Sequence, residues 1–370
     1  MEKQRYDFFA YLFLGDRRIF LPAGSDEPDA VRSFPFRFIA LSLERILPVF
    51  CFMEFHTPVE QPVYPFRIEP SQTGLALGSC FADRIGGWLR DGKLPLCVNP
   101  FGTLYNPASI AQAWERLAGG RPFGPDELFE HDGLWHSPLH HGDFSGPDRE
   151  AVLERINRAL AEGAEALRKA DYLLLTLGTA RVYERQGRVA ANCHKLPARE
   201  FVRRRLSVSE CVERLSKPIE QGPQKQVVLT VSPVLHRGDG LVENQRSKAT
   251  LIVAAHELAE RFPGRVHYFP AYEILTGELR DYRFYTEDMC HPSPAAVTVV
   301  RERFAESLLA PEAQQLLAAA GELRRAMEHR PLHADSTAHA RFRADMLRRT
   351  EALQQRFPQA DFSAERQFFR

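Results

Sequence analysis

Leu75-Ala76-Leu77-Gly78-Ser79-Cys80-Phe81-Ala82 decides how this chain is read. A short apolar run ends at Gly78. Two small residues with nucleophile-capable side chains follow, and Ile85, Trp88 and Leu89 then recur at helical spacing. That order reads as strand, tight turn and helix. The turn sets Ser79 and Cys80 at the carboxyl end of a strand and the amino end of a helix. Free N–H groups and the helix dipole favour negative charge there. A thiol so placed is expected to be more acidic, and the thiolate is its reactive form. The plain alternative is a small buried cysteine in a close-packed turn.

Outward from this stretch, strands and helices alternate. Four prolines between Thr57 and Thr73 make an extended lead-in. A short strand, Leu94 to Asn99, runs into Asn99-Pro100-Phe101-Gly102-Thr103-Leu104-Tyr105-Asn106-Pro107, and a helix follows over about 108–118. Asp148 to Ala170 is amphipathic, with Val152, Ile156, Leu160 and Leu167 on one face. Tyr172 to Leu177 is apolar almost throughout, as expected of a central parallel strand covered on both faces. Further strands are read at Gln226 to Val231 and Val266 to Phe269, and further helices at Glu243 to Phe262 and Pro294 to Leu309. The pattern predicts an α/β fold with a five-stranded parallel sheet between layers of helices.

Three segments fall outside that alternation. Residues 119–148 carry His131, His136, His140 and His141 and read as a polar covering loop beside a site. Residues 311–370 read as a helical pair packed back on the domain. Residues 1–52 read as a poorly ordered N-terminal extension. Only Phe38 to Leu47 shows helical spacing there. Met53 reads as the physiological start, with the residues before it an upstream extension; a genuine but loosely packed arm is the alternative.

Composition narrows the classes of function. The chain has 370 residues, with 48 Lys plus Arg against 48 Asp plus Glu, so no nucleic-acid or membrane-surface partner is expected. Six scattered cysteines with no CxxC pair suit a reducing compartment. No apolar run approaches the ~18 residues of a membrane span, and no signal-peptide pattern opens the chain. A cytoplasmic protein without a cofactor or metal is expected. A metal site from Cys193, His194, Cys290 and His291 is disfavoured, because adjacent Cys-His pairs do not readily reach one tetrahedral ion.

Functional groups gather at the carboxyl ends of parallel strands. There the sequence sets Ser79 and Cys80, Asn99 and Gly102, Gly178 and Thr179, and Ser232, with Asp288-x-x-His291 after the fifth strand. Covalent acyl transfer needs a nucleophile, a base and a group orienting that base. Cys80 or Ser79 fits the first role, His291 the second and Asp288 the third. Candidate oxyanion donors are the N–H groups of the nucleophile and Gly102, with an amide from Asn99 or Asn192.

These blocks resemble the GSCFA-domain family. The resemblance rests on Gly78-Ser79-Cys80-Phe81-Ala82, Asn99 to Pro107, Leu177-Gly178-Thr179-Ala180, Asn192-Cys193-His194-Lys195 and Thr230-Val231-Ser232-Pro233-Val234. It continues in Arg280 to Tyr285 and in Asp288-Met289-Cys290-His291-Pro292-Ser293, so it spans roughly residues 53–310. Proteins of that kind begin near the equivalent of Met53. The family is similar to SGNH or GDSL-like hydrolases, which implies a flavodoxin-like α/β/α sandwich and esterase or O-acyltransferase chemistry on a small-molecule or carbohydrate ester. In that comparison the serine nucleophile falls on Cys80, the second-block glycine on Gly102, and the acid–base pair on Asp288 and His291. The usual third-block amide is missing at Gly178-Thr179-Ala180, with Asn192 or His194 as stand-ins. The rival expectation is a binding module of the same fold that holds an acyl or sugar ligand through Asn99, Asn192 and His194 without turning it over.

Overall fold

The apolar runs become the central sheet. The computed structural model describes residues 10–14, 17–21, 57–222, 224–333 and 335–370, and the chain divides into two units, Met1–Thr57 and Pro58–Arg370. In the first unit β1 (Ala10–Leu14) and β2 (Arg17–Leu21) pair antiparallel, Ala10 opposite Leu21. The helical spacing expected over 38–47, and Met53 itself, lie outside the described residues.

The second unit runs β3 (Gly74–Gly78), α1 (Cys80–Asp91), β4 (Leu96–Val98), α2 (Pro107–Gly119), β5 (Phe129–His131), β6 (Leu134–His136), α3 (Arg149–Lys169) and β7 (Tyr172–Leu177). It continues with β8 (Arg181–Arg185), β9 (Arg188–Ala190), β10 (Val202–Arg205), α4 (Val208–Gln221), β11 (Gln226–Val231), α5 (Leu241–Arg261), β12 (Val266–Phe269) and α6 (Pro294–Leu308). The tail adds α7 (Pro311–Glu328), α8 (Thr337–Arg356) and α9 (Ser363–Phe369). The main sheet has five parallel strands in the order β12-β11-β7-β3-β4. By appearance in the chain that is 2-1-3-4-5, the flavodoxin-like order, whose direction reverses between the first and third strands. Here the reversal lies between β3 and β7, whose carboxyl ends carry Ser79-Cys80 and Gly178-Thr179.

Strand alternation divides the core between two faces. Leu173, Leu175 and Leu177 join Leu75 and Leu77 beneath Trp114, Ile156, Leu215 and Leu251 of α2, α3, α4 and α5. Tyr172, Leu174, Ala76 and Val228 face Phe81 and Leu89 of α1 and Phe304 of α6. The tail belongs to this second layer: Leu316, Phe357, Phe362 and Phe369 are buried in it. Lys93 pairs with Glu365 at 2.7 Å and Arg324 with Asp91 at 2.8 Å. The expected pair of tail helices is three, because α9 is too short to show a period. Among the described residues no helix is long and apolar enough to cross a membrane.

Two antiparallel additions were not foreseen. β8, β9 and β10 form a three-stranded sheet, with Gln186 and Gly187 both at positive φ (53° and 75°), the backbone of a tight hairpin turn. β5 and β6 pair within the segment read as a loop, across Asp132 and Gly133 (φ 50° and 73°).

Candidate active site at the carboxyl edge of the sheet

The turn after β3 requires glycine. Gly78 has φ +148°, and a Cβ there would stand 2.3 Å from the Thr176 carbonyl oxygen. Ser79 is 1% exposed; its N–H donates to Thr176 O at 3.1 Å, and its Oγ accepts from the Phe81 N–H at 3.3 Å. Ser79 is thus the cap of α1. Cys80 follows as the first helical residue and stays partly exposed. Burial pushes its thiol up, Asp83 adds to that, and Arg84 and Lys248 oppose it. The expected acidic thiol is therefore not found: in this state burial outweighs the helix amino end.

The second block is tied to this turn. Asn99, at φ 44°, accepts from the Gly78 N–H at 2.8 Å and donates to Asp83 Oδ1 at 2.7 Å. Gly102 donates its N–H to Asn99 O at 2.7 Å, and a Cβ on Gly102 would meet His141 Cβ at 2.3 Å. The glycine thus admits the histidine-bearing segment to the sheet edge. The N–H groups of Gly178 and Thr179 both donate to Tyr105 O at 2.8 Å. These bonds commit the backbone N–H groups of Gly102, Gly178 and Thr179, and one amide hydrogen of Asn99, to holding the turns together. Among the described residues no backbone carbonyl takes the N–H of Cys80, which bonds instead to its own thiol and helps to oppose the rise.

Asn192 and His194 serve the covering segment. Asn192 Oδ1 accepts from the His194 N–H at 2.8 Å, and His194 Nε2 lies 2.8 Å from Ser137 O. Its ring lies tilted against His136 at 4.6 Å between centroids, and burial pushes His194 down to about 4. His140 is fully buried against Phe101, Phe123 and Phe144, and burial pushes it down to about 3. His194 and His140 are thus neutral packing groups at neutral pH. Among the described residues no three His, Cys, Asp or Glu side chains are placed to hold a metal ion.

Asp288 and His291 make a compact pair. Asp288 Oδ2 lies 2.5 Å from His291 Nδ1. Its Oδ1 accepts from Thr286 Oγ1 at 2.7 Å and from the N–H groups of Cys290 and His291 at 2.9 and 3.0 Å. Led by the His291 N–H, these donors hold the carboxyl far below the usual carboxylate range. A carboxylate only accepts, so Nδ1 carries the proton and Nε2 is left basic. The loop is anchored on the segment after β11 by Leu235 N–H to Cys290 O at 3.0 Å. No hydrogen bond joins Cys80 Sγ to His291 among the described residues.

Sequence reasoning missed what fills the floor of the site. A Cβ on Gly178 would lie 3.2 Å from Ser79 Cβ and 3.5 Å from His236 Nε2. The His236 ring stands edge-on to Tyr105 at 5.9 Å. Burial, then Lys248, push His236 down to about 4; His291 adds to this, while Asp239 and a hydrogen bond to Gly178 oppose it. Lys248 is 0% exposed and donates to Gly178 O and to Ser232 O, each at 2.6 Å. Ser247 beside it bonds Thr179 Oγ1 at 3.0 Å and the Ala180 N–H at 2.7 Å. The signal was present. Leu251, Ala254, Ala255 and Leu258 set a buried stripe on α5, and the same period run backwards reaches Ser247, Lys248 and Asn244.

Sheet order, switch point and the residues converging there define a doubly wound α/β protein with its candidate site in the crevice outside the strand ends. The chain belongs to the GSCFA family, whose model matches residues 74–304, and the model of the GSCFA domain protein C-terminal domain matches residues 320–370. No curated protein matches the chain. One solved structure, a crystal structure, covers 64% of this chain and 96% of its own at 14% identity and a TM-score of 0.33, too low to carry an argument.

Proposed function

We propose that the chain processes acyl groups, as an esterase or O-acyltransferase acting on an ester or acylated carbohydrate through Cys80, His291 and Asp288. The observation that carries this reading is the Asp288–His291 pair, held at 2.5 Å on a loop at the sheet edge where α1 presents Cys80. The order of the sequence blocks, similar to SGNH or GDSL-like hydrolases, supports the same chemistry. His291 Nε2 takes the Cys80 thiol proton as Sγ attacks the acyl carbonyl. The S–C bond forms as the ester C–O bond breaks, and the alcohol leaves with a proton from His291 Nε2. Water or an acceptor hydroxyl then gives its proton to Nε2 and attacks the thioester, which restores the thiol. The Cys80 N–H, which no backbone carbonyl takes among the described residues, is the donor proposed for the oxyanion.

The second reading, a non-catalytic acyl- or sugar-binding module, draws support from two observations: burial raises the Cys80 thiol, and the N–H groups of Gly102, Gly178 and Thr179 are committed to the turns. Intact mass after mixing with p-nitrophenyl acetate separates the two. The enzyme reading expects an added acetyl on Cys80 that is absent in Cys80→Ala, and nitrophenol release about 10²–10⁴-fold slower in Asp288→Asn and His291→Ala. No acetyl-enzyme and equal release from wild type and Cys80→Ala would favour the binding module.

A further inference from the structure

Lys248 has no structural need for its charge. It lies in the buried stripe of α5, 0% exposed, and its Nζ reaches the last carbonyls beyond β7 and β11, Gly178 O and Ser232 O, each at 2.6 Å. A neutral amine has two N–H groups, and those two carbonyls use both. The remaining position on nitrogen holds either a lone pair or a third proton. A buried ammonium needs a counter-ion, because desolvation of an unpaired charge is severe.

The groups around Lys248 narrow the choice of that counter-ion. The Tyr272 ring lies 5.9 Å away and is uncharged. His236 can contribute only positive charge. Asp239 is engaged by Arg203 and, at 3.4 Å, by Arg181. Asp83 and Arg84 face Cys80 from its own helix, and Asp83 is already bonded to Asn99. Cys80 is what remains. Gly178 links the two sites, since its carbonyl holds Lys248 while its bare Cα packs against Ser79, the residue before Cys80.

We propose that Lys248 is a positioning residue whose ammonium is the counter-charge of the Cys80 thiolate at the floor of the sheet edge. The Sγ–H bond breaks, sulfur keeps the electron pair, and the proton leaves by the partly exposed side of Cys80, to solvent or to the base of the site. Burial pushes Lys248 down to about 7 and the Cys80 thiol up, each opposed by the other's charge, which is the pattern of a coupled pair. The pairing holds whether Cys80 turns over an ester or only holds a ligand, so it goes beyond the acyl-transfer reading.

The test is the pH dependence of iodoacetamide labelling at Cys80, with Cys97 in the same protein as the internal control. In Lys248→Met the midpoint is expected to rise by about one unit or more, roughly a tenfold slower reaction at neutral pH. Lys248→Arg, which keeps a cation, is expected to restore labelling. A merely structural lysine would change the melting temperature and the Cys97 rate and leave the Cys80 midpoint in place; that result overturns the proposal. If Lys248→Met does not fold, the ¹³Cε resonance of Lys248 is titrated in wild type and Cys80→Ser. A midpoint that falls on loss of the thiol supports the pair, and an unchanged midpoint overturns it. Neither readout involves ester turnover, so this proposal and the acyl-transfer reading fail separately.

Discussion

The two sides of the crevice are built differently. On one side Asp288 and His291 sit three residues apart on a partly exposed loop, and nearly all the bonds that fix them come from within residues 286–291. On the other side Ser79, Gly178, His236 and Lys248 come from four separate segments and are buried or nearly so. The loop side is a local device, able to form its geometry wherever its backbone turns. The floor side exists only when β3, β7, β11 and α5 are assembled. Function on the loop side should respond to single side chains, and function on the floor should respond to anything that disturbs the fold.

The strongest way to break that contrast is Gly78→Ala. The added Cβ would meet Thr176 O at 2.3 Å in a backbone conformation that disfavours side chains. A loss of about 3 kcal/mol or more in chemical denaturation is expected. A variant as stable as wild type would show that the floor tolerates movement. Acid is the next probe. His140, His194 and His236 are pushed down to about 3, about 4 and about 4, so the folded state resists protons that the unfolded chain takes up near 6.5. Their contribution is complete above about 6.5 and is lost as pH falls toward 4, whereas the Asp288 carboxylate stays ionised throughout that window. Melting temperature should fall by about 5 °C or more between pH 7 and pH 5, and a flat profile would remove the buried, neutral histidines from the account. The smallest effect is expected of Ser79→Ala, which loses a helix cap worth about 1 kcal/mol and keeps labelling at Cys80. Loss of acetyl-enzyme formation in that variant would instead make Ser79 the reacting group.

The same contrast explains what the sequence disclosed. The five strands were legible because a strand buried on both faces, such as Tyr172–Leu177, has no polar positions to obscure it. Asp288-x-x-His291 was legible because the pair is contiguous. The hairpin strands were not, since Arg181–Arg185 and Val202–Arg205 carry so much charge that they read as surface. Lys248 was passed over for a similar reason: lysine signals solvent unless its place in the helical stripe is weighed first. The commitment of the Gly102, Gly178 and Thr179 N–H groups was beyond reach, because their acceptors, Asn99 O and Tyr105 O, are backbone atoms that composition does not name.

The helix that begins at Cys80 also has a history within synthesis. Phe81, Ile85 and Leu89 share a layer with Phe357, Phe362 and Phe369, and Lys93, just beyond the helix, is pinned by Glu365. A ribosome makes the thiol long before the residues that cover its helix. Until they emerge, that apolar face stands open in the nascent chain, and chaperones that bind such surfaces have their longest opportunity there.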